Sequence, residues 1–307
     1  MSTVTPTPDT RAAGTPYARG GWDVAARVLT GLAALATVLM PILGIPGNIV
    51  IFASVPLAVV LAGRRYGWWT AATYLVVTFV VANVFENLSI ATGFPFGHYS
   101  YPGTSPRIID FPIQVAVAYC ALGMICWLVA STLLDGADRR LADRSAPGRR
   151  VTVVALPALA AALMTMFDLG SDSASSTVQH AWVWTNGGGV YGVPWTNYLG
   201  WWFVTYVFYQ IFALVLSRGR TASRLPAGGE RREPLALAVA VYFMLCAVTM
   251  IQFFGDDHRL VSDAAGRIWN TADLYEGLFS FNLFGPVVMV MLAATKLAST
   301  PPSPAPR

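Results

Sequence analysis

The chain has 307 residues, of which 55% are hydrophobic and only 12% are charged. This composition excludes an ordinary water-soluble domain and is typical of a polytopic membrane protein. The net charge of +4 does not indicate a nucleic-acid partner, because the basic residues are sorted among the loops that join apolar segments.

The two ends of the chain differ in composition from the rest. Residues 1–22 are rich in Thr, Pro, Ala and Gly, and residues 299–307 in Pro and Ser, so both are predicted to be disordered tails. The N-terminal segment lacks the basic start and apolar core of a signal peptide. Residues 23–298 are therefore predicted to form a single integral membrane domain.

A membrane-spanning helix needs roughly 20 mostly apolar residues, and about eight such stretches follow one another along the chain. They cover residues 24–43, 45–63, 67–88, 109–134, 151–168, 195–217, 234–254 and 277–297. All three cysteines, Cys120, Cys126 and Cys246, fall inside them, which favours small apolar core residues over disulfides. The predicted fold is all-α, a polytopic transmembrane helix bundle.

Basic residues alternate from loop to loop. Arg64 and Arg65 lie between the second and third stretches, and a basic run from Arg139 to Arg150 lies between the fourth and fifth. In total, 17 of the 20 Lys and Arg residues lie on the side shared by both termini. Because basic residues are retained in cytoplasmic loops, we predict cytoplasmic termini and a multi-pass protein of the cell membrane.

The opposite side carries most of the acidic residues and every histidine. Its members are Glu86, Asp110, Asp168, Asp172, Asp256, Asp257, Asp263, Asp273, Glu276, His98, His180 and His258. Exposure to water accounts for the loop residues among them. It accounts less well for carboxylates at the ends of apolar helices, where polar groups normally turn toward the interior of the bundle, so these are the candidate functional groups.

Glu86 lies near the end of the third stretch, with Asn83 and Asn87 close to it on the same helical face. One interpretation is a hydrogen-bonded clamp between helices. The other is a carboxyl group that holds a proton at neutral pH because its setting is apolar. The segment that follows, TGFPFGHYSYPG, ends the helix and predicts either a lip over a pocket or an interfacial aromatic belt.

A second group of acids follows the fifth stretch. Asp168 and Asp172 are four residues apart and share a face if the helix continues. Paired carboxylates at the mouth of a bundle suit acid and base chemistry, although capping of the helix end explains them as well. Asp273, Glu276 and Ser280 form a third polar stripe that enters the last stretch.

Two of these segments together resemble the CruF-type carotenoid 1',2'-hydratases, a membrane family that includes bisanhydrobacterioruberin hydratase. The first block is Glu86 followed by the motif TG-x-PFG-x-Y-x-Y, that is Thr92, Gly93, Pro95, Phe96, Gly97, Tyr99 and Tyr101. The second block is Asp168, Asp172, Trp182, Trp184, Tyr191-Gly192-Val193-Pro194, Asn197 and Gly200-Trp201. Where the family usually has Asp-Pro, this chain has Asp172-Ser173.

The resemblance implies addition of water across the terminal C1',2' double bond of an acyclic carotenoid end group, without a redox cofactor. The predicted partner is a carotenoid within the bilayer, and other carotenoid biosynthesis enzymes are a further class of partner. From residue chemistry we assign acid and base roles to Glu86, Asp168, Asp172 and Glu276. The predicted substrate-binding residues are Asn83, Asn87, Phe96, Tyr99, Trp182, Trp184, Tyr191 and Asn197, and no metal site is predicted.

Three alternatives stay open at this point. A di-iron hydroxylase needs clustered histidines and carboxylates, and the three histidines lie in three separate loops, although together with one Asp they suffice for a single weak metal site. A transporter or channel also uses polar stripes and broken helices. A non-catalytic assembly partner of pigment enzymes is the third.

Overall fold

The structure, a computed structural model, describes residues 21–43, 48–218 and 232–299. Nearly all of both predicted tails, and the basic loop at 219–231, lie outside these described residues. The helices are α1 (Gly21–Leu43), α2 (Asn48–Tyr66), α3 (Trp68–Thr92), α4 (Ile113–Leu133), the short α5 (Ala137–Ala142), α6 (Arg149–Leu169), α7 (Trp195–Ser217), α8 (Arg232–Phe254), α9 (Thr271–Asn282) and α10 (Val288–Ser299).

The helices form the predicted all-α bundle. Among the described residues, seven helices are long and apolar enough to cross a membrane. The 19-residue helix α2 is a further long apolar helix, and it packs against α1 and α4. Short antiparallel strand pairs tie the loops together: β1 (Tyr99–Ser100) with β4 (Val183–Trp184), β2 (Arg107–Ile108) with β3 (Phe111–Pro112), and β5 (Leu260–Ser262) with β6 (Ile268–Asn270).

Two predicted boundaries were wrong because hydropathy does not report which face of a helix is buried. The fifth stretch was predicted to end at residue 168, but helical backbone continues to Val178 through a π-helical segment, Ala174–Val178. The last stretch was predicted to begin at residue 277, but α9 begins at Thr271 and joins α10 through the π-helical segment Leu283–Val287. Both extensions carry polar residues that pack against protein.

Aromatic side chains fill the middle of the bundle. Trp127 of α4 stacks on Tyr209 of α7 at 5.6 Å between ring centroids, and both side chains are fully buried. The Tyr209 hydroxyl donates to the Gly123 carbonyl at 2.7 Å, and Tyr242 of α8 donates to the Leu163 carbonyl at 2.7 Å. These bonds satisfy the phenols, whose burial would otherwise cost free energy.

The basic residues predicted to face the cytoplasm meet at one end of the bundle. Arg65 forms a buried ion pair with Asp138 of α5, which also accepts from Ser131 at 2.7 Å. Burial alone would raise the pKa of Asp138, but the charge and hydrogen bonds of Arg65 outweigh it and hold that pKa below its ordinary value. Arg149 and Lys296 donate to carbonyls at the ends of α7 and α4, where cations suit the helix dipole. Which compartment this end faces stays a prediction.

Candidate functional site

The segment after α3 folds back onto the helix that precedes it. The backbone N–H of Gly93, in the left-handed conformation, donates to the Ser89 carbonyl at 2.7 Å. The Ser89 hydroxyl donates to the Gly97 carbonyl at 2.9 Å and accepts from the Phe96 N–H at 3.2 Å. Gly200 of α7 permits this return, because a Cβ there would lie 2.6 Å from the Phe96 ring.

This reversal brings a tyrosine back to Glu86. The Glu86 side chain is buried, with 4% of the residue surface exposed. Its carboxyl group accepts hydrogen bonds from the hydroxyl of Tyr99, on β1, and from the hydroxyl of Tyr119, on α4, the latter at 2.5 Å. Glu86 therefore joins α3 to α4 and to the loop between them.

The Asp168 and Asp172 carboxyl groups lie on the helix α6 and its continuation, and both are buried. A single amide nitrogen of Asn197, on α7, donates to Asp168 Oδ2 at 2.8 Å and to Asp172 Oδ2 at 2.7 Å. The other oxygen of Asp172 accepts from Trp182 Nε1 at 2.7 Å. Because one nitrogen contacts both carboxyl groups, the two acids lie side by side.

A strand pairing and a close helix contact bring the Glu86 segment and the aspartate segment together. The pairing of Tyr99 with Trp184 between β1 and β4 joins the loop after α3 to the loop after α6. Gly170 allows the Asn282 amide of α9 to pack against the end of α6, since a Cβ there would lie 2.5 Å from the Asn282 oxygen. The Asn282 amide donates to the Gly170 carbonyl at 2.8 Å.

A cavity of about 210 Å³ opens beside these acids, at the end of the bundle opposite the Asp138 ion pair. Its inner wall is mostly apolar and is lined by side chains of α2, α4, α6 and α8, among them Ile51, Val115, Leu122, Met164, Phe167, Leu245 and Val248, with Gln114, Thr249 and Gln252 as polar members. Its outer wall carries Asp168 together with four aromatic rings, Tyr101, Tyr119, Trp182 and Trp201. Tyr119 and Trp201 stack face to face, 4.7 Å apart with an angle of 9° between the rings.

The protein-family model for carotenoid biosynthesis proteins matches residues 46–260. The chain belongs to the carotenoid biosynthesis protein family. No curated protein and no solved structure matches it. The carotenoid part of the expectation from the sequence is confirmed, and the hydration reaction stays a prediction.

The residues matched by the carotenoid biosynthesis family include Glu86, Asp168 and Asp172, together with every helix wall of the cavity. Glu276 lies beyond the match. It is exposed on α9, and it is not among the residues that line the cavity. The structure therefore does not bring Glu276 to the other three acids.

The remaining predicted site residues either pack behind the residues of the site or make hydrogen bonds that do not reach Glu86. Asn83 and Asn87 donate to the carbonyls of Phe79 and Asn83, each at 2.8 Å, so neither amide nitrogen reaches Glu86. The bond from Tyr119 on α4 to Glu86 on α3 is consistent with a hydrogen-bonded clamp between helices, but the amide nitrogens of Asn83 and Asn87 take no part in it. Phe96 and Trp184 pack around Tyr99 without lining the cavity.

Tyr191 lies outside the cavity, next to the strand β6. Its ring packs on Trp269 of β6 at 5.7 Å, and it too is absent from the cavity wall. Desolvation and the charges of Asp273 and Glu276 raise the pKa of the Tyr191 phenol. The third polar stripe of the sequence thus surrounds Tyr191 rather than the acids of the cavity.

The histidines do not form a metal site. His98, His180 and His258 are all exposed. Within residues 21–43, 48–218 and 232–299, no group of three or more His, Cys, Asp or Glu side chains is arranged to hold a metal ion. The weak metal site that the sequence left open finds no ligand cluster in this part of the chain.

Sequence reasoning missed Tyr119, which contacts both Glu86 and the cavity. A tyrosine in the middle of the apolar segment IQVAVAYCALG is indistinguishable from a core residue when hydropathy alone is considered. Tyr101 and Trp201 were noted only as parts of motifs. Their common place on the cavity wall follows from the fold of the loop after α3 and from the stacking of an α7 side chain on an α4 side chain, and neither can be predicted from residue spacing.

Proposed function

We propose that this carotenoid biosynthesis protein is an enzyme of the cell membrane that adds water to the terminal C1',2' double bond of an acyclic carotenoid end group. One observation carries the proposal: a cavity with mostly apolar inner walls presents the Asp168 carboxyl among four aromatic rings, with Glu86 and Asp172 hydrogen-bonded behind that wall. The resemblance of the Glu86 and Asp168 segments to carotenoid hydratases supports the same reaction.

Hydration of this alkene needs an acid and a base. A proton is added to C2', and the π electrons form the new C–H bond, which leaves a tertiary cation at C1'. Water adds to C1' and loses a proton to the base, giving a tertiary alcohol. The reaction adds H and OH without net oxidation, so it needs no redox cofactor.

The three acids divide into two hydrogen-bonded sites that suit these two steps. Glu86, a buried carboxyl group in an apolar helix, is the proton source. Asp168, the carboxyl on the cavity wall, orients the water and takes its proton. Asp172 stands beside Asp168, and Asn197 and Trp182 hold it in place.

Aromatic faces stabilise the cation that forms between these sites. The faces of aromatic rings attract cations, more strongly where water is excluded. Tyr101, Tyr119, Trp182 and Trp201 all line the cavity, whereas Tyr99 and Trp184, two of the predicted substrate-binding rings, pack together in a separate cluster outside the cavity lining. We therefore propose that Trp201, Tyr101 and Tyr119 share the stabilising role with Trp182.

The size of the cavity matches one end of a long substrate. Sites that enclose a whole drug-sized ligand measure about 300–1,000 Å³, and this cavity of about 210 Å³ is smaller. It suits a branched isoprenoid end group whose polyene chain continues along the apolar wall into the bilayer. A carotenoid is about as long as the hydrocarbon core is thick, so its end group reaches the same level as the acids.

Expression in a lycopene-producing host tests the reaction. We expect mass spectrometry of the pigments to show products that have gained the mass of one or two waters, because lycopene carries the same end group at both ends. γ-Carotene and a C50 bisanhydrobacterioruberin-like carotenoid, supplied in the same way, rank the substrates. Unchanged pigments with all three compounds, at normal protein levels, would contradict the proposal, and uptake of solutes by proteoliposomes would then favour a transporter.

A further inference from the structure

The proton source of the proposed reaction does not touch the substrate cavity. Glu86 is absent from the residues that line it, whereas its partner Tyr119 is present. The Tyr119 hydroxyl is hydrogen-bonded to Glu86 Oε1 at 2.5 Å. Tyr101 also lines the cavity and also interacts with Glu86, but Tyr119 is the wall tyrosine whose hydroxyl lies 2.5 Å from the carboxyl oxygen.

We propose that Tyr119 is a catalytic residue that passes the proton of Glu86 to the C2' carbon of the substrate. The inference rests on the proposed hydration and adds a group to it. Tyr119 is well placed for transfer, because its ring is held flat against Trp201 at 4.7 Å and contacts Phe111 from another side at 6.4 Å. A ring fixed on two sides keeps its hydroxyl in one position.

The transfer balances in protons and electrons. For this step the Glu86 carboxyl group is protonated and donates its O–H to the Tyr119 oxygen, so that the hydrogen bond between them runs opposite to the one in the structure and the Tyr119 O–H points into the cavity. The Tyr119 O–H bond then breaks as the C2'–H bond forms, and the Glu86 O–H bond breaks as a new Tyr119 O–H bond forms. Glu86 is left as a carboxylate. The water that adds to C1' gives its proton to Asp168, so the cycle ends with one proton to be returned from Asp168 to Glu86.

Tyr101 lies between the two acid sites. It lines the same cavity and its ring lies between Tyr99 and Trp182, at 5.6 and 6.3 Å, that is, between the partner of Glu86 and the partner of Asp172. Desolvation raises the pKa of the Tyr101 phenol well above its ordinary value, and the charges of Glu86, Asp172 and Asp168 raise it further.

Tyr99 provides a matched control, since it also donates to Glu86. Both tyrosines are buried, but they differ in position. The Tyr99 ring packs on Trp184 at 4.8 Å and does not line the cavity. Tyr99→Phe and Tyr119→Phe thus each remove one hydroxyl group that donates a hydrogen bond to the Glu86 carboxyl group. Only the second removes a hydroxyl that faces the substrate.

The test measures hydration of lycopene per folded molecule in lipid vesicles. We expect Tyr119→Phe to lower the rate by about 10²–10⁴-fold, the usual contribution of acid-base catalysis. Tyr99→Phe should lower it by less than about tenfold, the equivalent of one hydrogen bond. Equal losses in the two variants, or a nearly active Tyr119→Phe, would overturn the relay while leaving the hydration reaction in place.

Two further measurements separate a relay from a structural bond. In the double variant Glu86→Gln/Tyr119→Phe, a shared proton path predicts a loss no larger than that of the more damaged single variant, and multiplied losses would contradict it. If Tyr119→Phe does not fold, 3-fluorotyrosine at 119 keeps the hydroxyl but makes the phenol a stronger acid, so the relay predicts a changed rate of hydration at a fixed pH. An unchanged rate would reject the relay. An inactive wild-type protein would instead reject the proposed function, and the relay with it.

Discussion

Glu86→Gln is expected to lower the rate of carotenoid hydration by about 10²–10⁴-fold while the protein still folds and accumulates. The glutamine amide keeps an oxygen that accepts a hydrogen bond from Tyr99 or Tyr119, but it has no acidic proton to release. The measurement is turnover per folded molecule, with folded protein quantified separately, so that a loss of yield is not mistaken for a loss of catalysis.

Two variants calibrate this result. Glu86→Leu leaves the hydroxyls of Tyr99 and Tyr119 buried without their acceptor, at a cost of about 1–3 kcal/mol for each unsatisfied group, so it should reduce the amount of folded protein. Glu276→Gln changes an acid that the structure leaves exposed and outside the cavity, and it should be silent. Full activity in Glu86→Gln would reject the catalytic role and transfer the acid to Asp168 or Asp172.

Asp168→Asn is expected to cause the second large loss, again about 10²–10⁴-fold. Asp168 is the acid on the cavity wall, and the variant removes the group that takes the proton from water. The fold should persist, because Asn197 donates to one oxygen of Asp168 and the asparagine carbonyl can accept that bond. Turnover per folded molecule decides the outcome.

Trp182→Phe is the matched control for Asp168→Asn. It keeps an aromatic face at the cavity but removes the N–H that donates to Asp172 at 2.7 Å, so a loss of less than about tenfold is expected for one hydrogen bond. If Asp168→Asn retained activity within tenfold of the wild type while Asp172→Asn did not, the base would be Asp172, and the direct role assigned to Asp168 would be wrong.

The bundle was predictable from the sequence because apolar length is the dominant requirement for crossing a membrane. The ends of the helices were less predictable. Polar residues such as Asp172 and Thr271 reduce hydropathy, yet they continue or begin a helix because other elements of the protein cover them. Hydropathy alone does not distinguish a polar residue that faces lipid or water from one that other parts of the protein cover. The predicted helices therefore end too early or begin too late at such residues.

The candidate site was predictable where an unusual residue type stood in an apolar segment. Glu86, Asp168 and Asp172 stand out for this reason, and Asn197 and Trp182, which hydrogen-bond the aspartates, follow in the same motifs. Tyr119 did not stand out, because a buried tyrosine is common in a core. Glu276 was predicted with the acids because helical spacing reports which residues share a face, and it does not report which helices are neighbours.

The source of the new hydroxyl oxygen tests the central proposal most directly. Cells that make lycopene and this protein are grown in water enriched in heavy oxygen, and a parallel extract is assayed without molecular oxygen. Hydration predicts that the hydroxyl group of the product carries the heavy isotope and that the anaerobic extract remains active. Label arriving only from molecular oxygen, with no anaerobic activity, would contradict hydration and indicate an oxygen-dependent hydroxylase.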